Sequence, residues 1–249
     1  MNETPSPIVE QLAKVQKDIS DLKGLFQKQS LELYFANLLH DSTRGSAWLK
    51  DQAFSLYGWA ANYSFIYILF RILDKTSPKN ILEFGLGQTT KVTTQYVAYK
   101  NSSATLDVCE HSQKWIDIYQ PELPQSPNIK IHRLDLDNFE YEGHTNDKYK
   151  DLEPLVKDRK FDLIIIDGPT GGGKNFPRSN IVDLINGNHL ADDFVIIFDD
   201  AERPGEQLTI AKTTEALKER KAEYIEFERK ALKTQHIIAS KSKSFVQYL

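Results

Sequence analysis

The sequence predicts a doubly wound α/β fold, in which helices cover both faces of a mostly parallel sheet. Two observations favour it. From Asn80 onward, short apolar runs alternate with helical stretches, which is typical of a parallel sheet wound with helices. Glycine is scarce, yet half of the 12 glycines lie just past two of these runs, at the strand ends that form the ligand crevice of such sheets. The predicted strands cover residues 81–84, 105–109, 129–134, 161–166, 194–198, 224–227 and 237–240.

The end of the chain departs from this alternation. A helix predicted near residues 207–220 precedes two strands whose connection, RKALKTQ, is too short for a helical crossover. We therefore expect the last two strands to form a hairpin, and all seven strands to belong to one sheet.

The N-terminal segment carries a heptad pattern of apolar residues at alternating steps of four and three. The pattern predicts a helix over residues 1–40 whose apolar seam favours homo-oligomer formation. A lone amphipathic helix lying on its own domain explains the same pattern. The seam consists of Ile8, Leu12, Val15, Ile19, Leu22 and Phe26. A polar break at 41–47 opens the main domain, residues 41–249, in which 48–73 is predicted as one or two helices.

Composition excludes several classes of protein. The net charge of −4 provides no positive field for nucleic acid, and the single Cys109 excludes an intrachain disulfide. The polar start contains no secretory signal, so we expect a cytoplasmic protein. The apolar run 56–73 is interrupted by Asn62 and Arg71, which favours a buried helix over a membrane span.

The first glycine cluster lies in ILEFGLGQTTKV. Gly85 and Gly87 allow a tight turn from strand to helix, and Thr89 or Thr90 can cap a helix whose N-terminus favours an anion such as a carboxylate. Thr90 stands where a dinucleotide fingerprint has its third glycine, which argues against pyrophosphate binding. An ordinary tight turn is the alternative.

An acidic residue ends the second predicted strand. Glu110 lies 23 residues beyond Gly87, where a carboxylate can accept both hydrogen bonds of a ribose diol. A solvated glutamate at a strand end is the alternative.

Together, residues 83–87 (EFGLG), Glu110, residues 161–167 (FDLIIID) and the closing hairpin resemble the class I S-adenosylmethionine-dependent methyltransferases. The resemblance covers roughly residues 48–249. It implies a seven-stranded sheet whose last strand is antiparallel, with S-adenosylmethionine lying across the first two strand ends. This cofactor contains no pyrophosphate, so the missing third glycine agrees with the resemblance.

The resemblance also implies roles for individual residues. Glu110 would hold the ribose diol, the turn at Asp135 would border the adenine, and His111 would pack beside the adenine with Trp115. The residues expected beside the methionine and ribose are Glu83, Gly85, Gly87 and Thr89, with Asp167 facing the sulfonium.

The second glycine cluster, residues 168–174, matches the phosphate-loop pattern GxxxxGK, which would indicate nucleotide hydrolysis or phosphoryl transfer. Asn175 replaces the hydroxyl residue that binds Mg²⁺, and Pro177 interrupts the helix that should follow. We therefore interpret this stretch as a loop over the acceptor, with Lys174 and Arg178 as anchors for an anionic substrate. A solvated loop without such a role is the alternative.

Acidic residues also follow the fifth strand. Asp199 and Asp200 end it, one strand over from Asp167, and neighbouring strands lie about 4.8 Å apart, so the three carboxylates should converge. The group resembles the acidic triad of metal-dependent O-methyltransferases, including those acting on sugars. The resemblance implies Mg²⁺ or another divalent cation that lowers the pKa of the acceptor oxygen. The alternative is that Asp200 only caps the following segment.

A hydroxyl acceptor also needs a general base. Asp167 or Asp199 is the stronger candidate, and His111, His144 and His189 are weaker ones. Aromatic residues before the sheet are predicted in the core, with stacking on a sugar as the alternative. They are Tyr57, Trp59, Tyr63 and Tyr67.

These observations predict an S-adenosylmethionine-dependent O-methyltransferase acting on a hydroxyl of a carbohydrate or a similar polar small molecule. A methyltransferase-like scaffold protein without activity and a nicotinamide-dependent oxidoreductase are the alternatives, and an amine acceptor stays open.

Overall fold

The computed structural model describes residues 7–249, except Tyr57, Trp59, Glu142, Gly172 and Lys174 and the side chain of His144. A seven-stranded sheet runs through the described part of the chain, with a separate two-stranded sheet beside it. The strands are β1 (Asn80–Phe84), β2 (Thr105–Glu110), β3 (Ile129–Arg133), β4 (Leu136–Tyr141), β5 (His144–Tyr149), β6 (Phe161–Ile166), β7 (Leu190–Phe198), β8 (Tyr224–Lys230) and β9 (Thr234–Ser240). The helices are α1 (Pro7–Thr43), α2 (Tyr63–Thr76), α3 (Gln88–Gln95), α4 (Gln113–Tyr119), α5 (Glu153–Val156), α6 (Asn180–Asn186) and α7 (Pro204–Glu219).

The large sheet has the strand order β3-β2-β1-β6-β7-β9-β8. Strands β3, β2, β1, β6 and β7 pair in parallel, and β9 runs antiparallel to both β7 and β8. This confirms the predicted α/β fold, the seven-stranded sheet and the closing hairpin. Because β9 is antiparallel, its first residues lie beside the carboxyl end of β7, one strand over from β6.

The N-terminal helix α1 extends three residues past its predicted end at residue 40. Its C-terminal part packs on α2, and Glu32, Phe35, Leu39 and Thr43 are buried there at helical spacing. Thr43 bonds Gln52, in the segment before α2. The heptad seam before it is exposed, so self-association stays a prediction. None of the helices in the described ranges has the combination of length and apolar character needed to cross a bilayer.

The segment 48–73, predicted as one or two helices, contains a single helix in its described residues, which begins at Tyr63. Asn62 caps it, since its side chain accepts a hydrogen bond from the Phe65 amide. Tyr67 is buried in the core and Tyr63 is more exposed, while Tyr57 and Trp59 lie outside the described residues.

The crossover from β3 to β6 contains a feature that the sequence analysis missed. Strands β4 and β5 form an antiparallel hairpin outside the main sheet, and a single helical turn, α5, follows. Most of the two strands is polar, so no apolar alternation indicated them.

Candidate functional site

The loops after β1 and β6 meet without side chains between them. Gly85 has a φ of +96°, and a Cβ there would lie 3.0 Å from the carbonyl carbon of Asp167. A Cβ on Gly168 would lie 2.7 Å from the Cα of Gly85. By contrast, Gly87 has extended backbone, and a Cβ there would meet nothing within 4 Å. The first two glycines are therefore needed for close packing, while Gly87 borders open space.

Glu83 lies beneath this loop and is fully buried. Its carboxylate accepts hydrogen bonds from the hydroxyls of Thr89 (2.6 Å), Thr90 (2.8 Å) and Thr93 (2.8 Å). Burial raises the pKa of Glu83 to about 7, and the hydrogen bonds from the three hydroxyls offset only part of that rise. The structure thus places Glu83 and Thr89 between β1 and α3, where they hold the helix against the strand.

Glu110 connects the loops after β1 and β2. One carboxylate oxygen accepts from the amides of His111 (2.8 Å) and Ser112 (2.7 Å), and the other accepts from the amide of Leu86 (3.2 Å). The indole of Trp115 donates to the carbonyl of Leu86 (2.5 Å), and its ring is 41% exposed. The open space beside Gly87 thus has a carboxylate and an aromatic ring close to it.

Two more residues predicted to contact the cofactor lie at the carboxyl ends of β2 and β3. The Nδ1 atom of His111 is 3.0 Å from a carboxylate oxygen of Glu110. Asp135 is exposed, pairs with Arg133, and its carbonyl accepts from the amide of Lys150 (2.8 Å).

The three aspartates after β6 and β7 do converge. Asp167, Asp199 and Asp200 each offer an oxygen within 4.8 Å of the others, as the strand spacing predicted. Asp199 and Asp200 are buried, and Asp167 is partly accessible.

Asp199 has both carboxylate oxygens bonded. One accepts from the ammonium of Lys233 (2.9 Å), and the other accepts from the amide of Gln235 (2.8 Å). Gln235 also donates to Asn62 (2.9 Å), whose own amide group donates to Glu32 of α1 (2.7 Å). A buried polar chain therefore connects the N-terminal helix to the aspartate.

Asp200 is held by three cations. Its Oδ2 lies 2.9 Å from both Arg178 Nη2 and Arg203 Nη1, and its Oδ1 lies 3.3 Å from Lys233 Nζ. Burial alone would raise the pKa of Asp200, but the cations outweigh it and hold that pKa below its ordinary value.

Arg178 is buried beneath the loop that was predicted to lie over the acceptor. Its guanidinium donates to the carbonyls of Pro169 (3.2 Å) and Asp199 (3.0 Å) in addition to Asp200. The side chain is 4% exposed, so its charge faces the aspartates instead of the loop surface. Lys174, its predicted companion, lies outside the described residues.

Asp167 differs from its neighbours. No hydrogen bond to its carboxylate is found among the described residues, and its nearest cation, Arg178 Nη2, is 3.7 Å away. Burial and then the charge of Asp199 raise the pKa of Asp167 well above its ordinary value. Of the three acids, it is the one that a ligand in the crevice can reach.

Of the weaker candidates for the base, His189 lies away from the cluster of aspartates. His189 precedes β7 at the amino edge of the sheet, where its ring contacts the Arg159 carbonyl (3.2 Å). The side chain of His144 is not described.

The sequence analysis missed Lys233, Gln235 and Arg203. One signal for the first two was available: a closing hairpin brings the start of its second strand to the carboxyl edge of a parallel sheet. No motif marked these residue types themselves.

Comparisons with known proteins agree with this architecture. The sequence matches no protein-family model and no curated protein. The O-methyltransferase TomG from Streptomyces achromogenes, involved in tomaymycin synthesis and solved in complex with SAM, superposes with a TM-score of 0.55 at 13% identity, over 87% of this chain and 98% of that one.

Two further solved structures are similar. Cofactor-bound Rv0187 from MTB has a TM-score of 0.52 at 11% identity, over 96% of this chain and 99% of that one. Precorrin-6y C5,15-methyltransferase from Geobacter metallireducens has a TM-score of 0.50 at 15% identity, over 77% and 95%. The chain therefore has the Rossmann-like fold of class I S-adenosylmethionine-dependent methyltransferases.

Proposed function

We propose that this chain is an S-adenosylmethionine-dependent O-methyltransferase that acts on a hydroxyl of a carbohydrate or a similar polar small molecule. The observation that carries the proposal is the position of Asp167. Its carboxylate has a raised pKa, and its backbone lies against Gly85, two residues before the open space at Gly87. A candidate proton acceptor thus follows β6, the strand beside β1, whose loop would hold a cofactor.

The cofactor would lie over the ends of β1 and β2. Gly85 and Gly87 would let it approach the backbone, and Glu110 has one lone pair left for a ribose hydroxyl, on the oxygen that accepts from Leu86, besides its three bonds to loop amides. His111 and Asp135 would border the adenine. Glu83 and Thr89 would act from beneath, by fixing the helix that starts at Gly87.

When bound, S-adenosylmethionine supplies a methyl group activated on a sulfonium. The carbon–oxygen bond to the acceptor forms as the carbon–sulfur bond breaks, and the bonding electron pair goes to sulfur. We assign Asp167 as the base that takes the hydroxyl proton, because a raised pKa makes a carboxylate a better proton acceptor. We assign Asp199 a positioning role, since it is fully buried with both oxygens bonded.

The polar, acidic edge around Asp167 supports a hydroxyl-rich acceptor. A cytoplasmic location is part of the proposal and agrees with the buried free thiol of Cys109. Transfer of labelled methyl groups to a panel of sugars and matched amino sugars tests the acceptor. Label on the sugars supports oxygen, and label on the amino sugars alone would change the assignment to nitrogen.

A thermal-shift comparison of S-adenosylhomocysteine, NAD and ATP tests the cofactor. We expect S-adenosylhomocysteine alone to raise the melting temperature. A shift with NAD would indicate the oxidoreductase, and no shift with any of them would favour a scaffold.

Calorimetry on Glu110→Ala then tests the site itself. The variant should bind S-adenosylhomocysteine at least about tenfold more weakly, as the loss of hydrogen bonds to a charged group predicts. The exposed Glu122→Ala is the matched control and should bind as wild type does. Unchanged affinity in the Glu110 variant contradicts the assignment.

A further inference from the structure

We infer that Lys233 supplies a built-in cation in the acidic cluster, at the place where metal-dependent relatives of this fold would hold a divalent ion, and that this chain binds no such ion there. The inference rests on the proposed function, but its test does not depend on that function. The side chains that surround the two buried aspartates are cations and hydrogen-bond donors, which do not suit a divalent ion.

The ammonium of Lys233 lies between two of the three acids. Its Nζ is 2.9 Å from Asp199 Oδ2 and 3.3 Å from Asp200 Oδ1. The side chain is 14% exposed, so the charge is withdrawn from solvent. An ion that used these oxygens at about 2.0–2.6 Å would overlap the ammonium, and the two positive charges would repel.

The remaining oxygens of the two buried aspartates are also in use. Asp199 Oδ1 accepts from Gln235, and Asp200 Oδ2 is shared by Arg178 and Arg203. Asp200 Oδ1 accepts no hydrogen bond among the described residues, but it lies 3.3 Å from the ammonium of Lys233, so an ion on this oxygen would meet that positive charge. Within the described parts of the chain, Asp167 is left as the one acid of the three whose carboxylate accepts no hydrogen bond and has its nearest cation 3.7 Å away, and one carboxylate is a poor site for a divalent ion by itself.

The backbone fixes the lysine in this position. Lys233 ends the three-residue turn between β8 and β9, in which its carbonyl accepts from the amide of Ala231 (2.9 Å). The next amide, that of Thr234, donates to Glu202 (2.7 Å). The amide of Leu232 contacts Glu32 of α1 (3.4 Å), so the turn is held from two sides.

The three acids of the site therefore have different roles. The cations of Lys233, Arg178 and Arg203 offset the charges of Asp199 and Asp200, which keeps the cluster compact without an added ion. Asp167, whose carboxylate accepts no hydrogen bond from the residues described here, is the acid that would receive a proton from an acceptor.

Titration of the metal-stripped protein with Mn²⁺, followed by the loss of the free-ion electron paramagnetic resonance signal, tests the inference without a methyl-transfer assay. Wild type should take up no stoichiometric Mn²⁺ below about 1 mM, a range in which carboxylate-rich sites bind divalent ions. Stoichiometric uptake that Asp200→Asn abolishes would overturn the inference. Either result leaves the cofactor-binding tests unaffected, so the two proposals fail separately.

Lys233→Ala provides the second arm, with Lys230→Ala on the same hairpin as the control, because Lys230 is exposed and pairs only with Glu228 among the described residues. Lys233→Ala should acquire Mn²⁺ binding at least about tenfold tighter than wild type, because the competing charge is removed. If Lys233→Ala folds and binds no more Mn²⁺ than the control, the inference that the Lys233 ammonium takes the place of a divalent ion is refuted. If this variant does not fold, Lys233→Met is measured in its place, and the wild-type titration decides in either case.

Discussion

The two halves of the carboxyl edge of the sheet are built in different ways. At the ends of β1 and β2, the edge consists of backbone, glycine and open space, and Glu110 accepts hydrogen bonds from three loop amides. At the ends of β6 and β7, charged side chains fill the edge and pair with one another. The comparison teaches that one sheet edge can combine a half with space and accessible backbone, which suits the proposed cofactor, and a half with charges in a fixed arrangement, which suits the proposed proton transfer.

The strongest test of this comparison is Asp167→Asn. If the charged half moves the proton, turnover on the best sugar acceptor should fall by about 10²- to 10⁴-fold, as the loss of a general base predicts. Affinity for S-adenosylhomocysteine should stay nearly unchanged, because the proposal places the cofactor at the other half. The control is Asp192→Asn, 93% exposed at the far end of β7. Equal losses of turnover and affinity would contradict the assignment of proton transfer to one half and cofactor binding to the other.

A pair of glycine variants separates packing from binding in the first half. Gly85→Ala should lower the free energy of unfolding by about 2 to 4 kcal/mol, because its Cβ meets backbone at 3.0 Å with a positive φ. Gly87→Ala should be nearly as stable as wild type but bind S-adenosylhomocysteine more weakly, because its Cβ enters open space. Urea unfolding and calorimetry measure the two effects. Wild-type affinity in a stable Gly87→Ala would place the cofactor elsewhere.

Glu83 gives the first half a pH dependence. Its pKa is about 7 in the folded protein and near 4.5 when unfolded, so the folded state binds more protons between these values. The free energy of unfolding should therefore decrease by up to about 3 kcal/mol as the pH rises from 4.5 to 7, and then level off.

Urea unfolding from pH 4.5 to 8 checks this against Glu83→Gln, which cannot ionise and should lack that decrease. Glu219→Gln, at an exposed position of α7, should follow wild type. Parallel curves for wild type and Glu83→Gln would show that the buried carboxyl does not titrate in this range.

Changes on the exposed seam of α1 should have the smallest effect on either half of the edge, because the seam is far from both. Ile19 is 61% exposed and Leu12 is 57% exposed, and we predict that a second copy of the helix covers them. The double variant Leu12→Asp and Ile19→Asp should convert a dimer to a monomer in light scattering, with unchanged affinity for S-adenosylhomocysteine. Lys17→Ala, off the seam, is the control. A monomeric wild type would contradict the prediction.

The first half was more accessible to sequence analysis than the second. Gly85, Gly87 and Glu110 lie within 26 residues of one another, so a local motif marks them together. Convergence of Asp167 with Asp199 followed from strand spacing. The partners of the acids did not follow, because Lys233 meets Asp199 across 34 residues and only the tertiary structure brings them together.

The β4–β5 hairpin was missed for a different reason. Its mostly polar residues, such as Asn138 and Asp147, do not show the apolar alternation that marks a half-buried strand. Backbone pairing alone defines the two strands.

The hydrogen-bond chain from Glu32 through Asn62 and Gln235 to Asp199 has a practical consequence. Shortened versions of this protein that start after residue 32 would delete the acceptor for the Asn62 amide, and the loss would change the hydrogen-bond chain that ends at Asp199. Trimming before residue 31 would remove only the projecting helix. The safe starting point for a crystallisation variant is therefore set by a buried glutamate and not by the apparent border of the sheet domain.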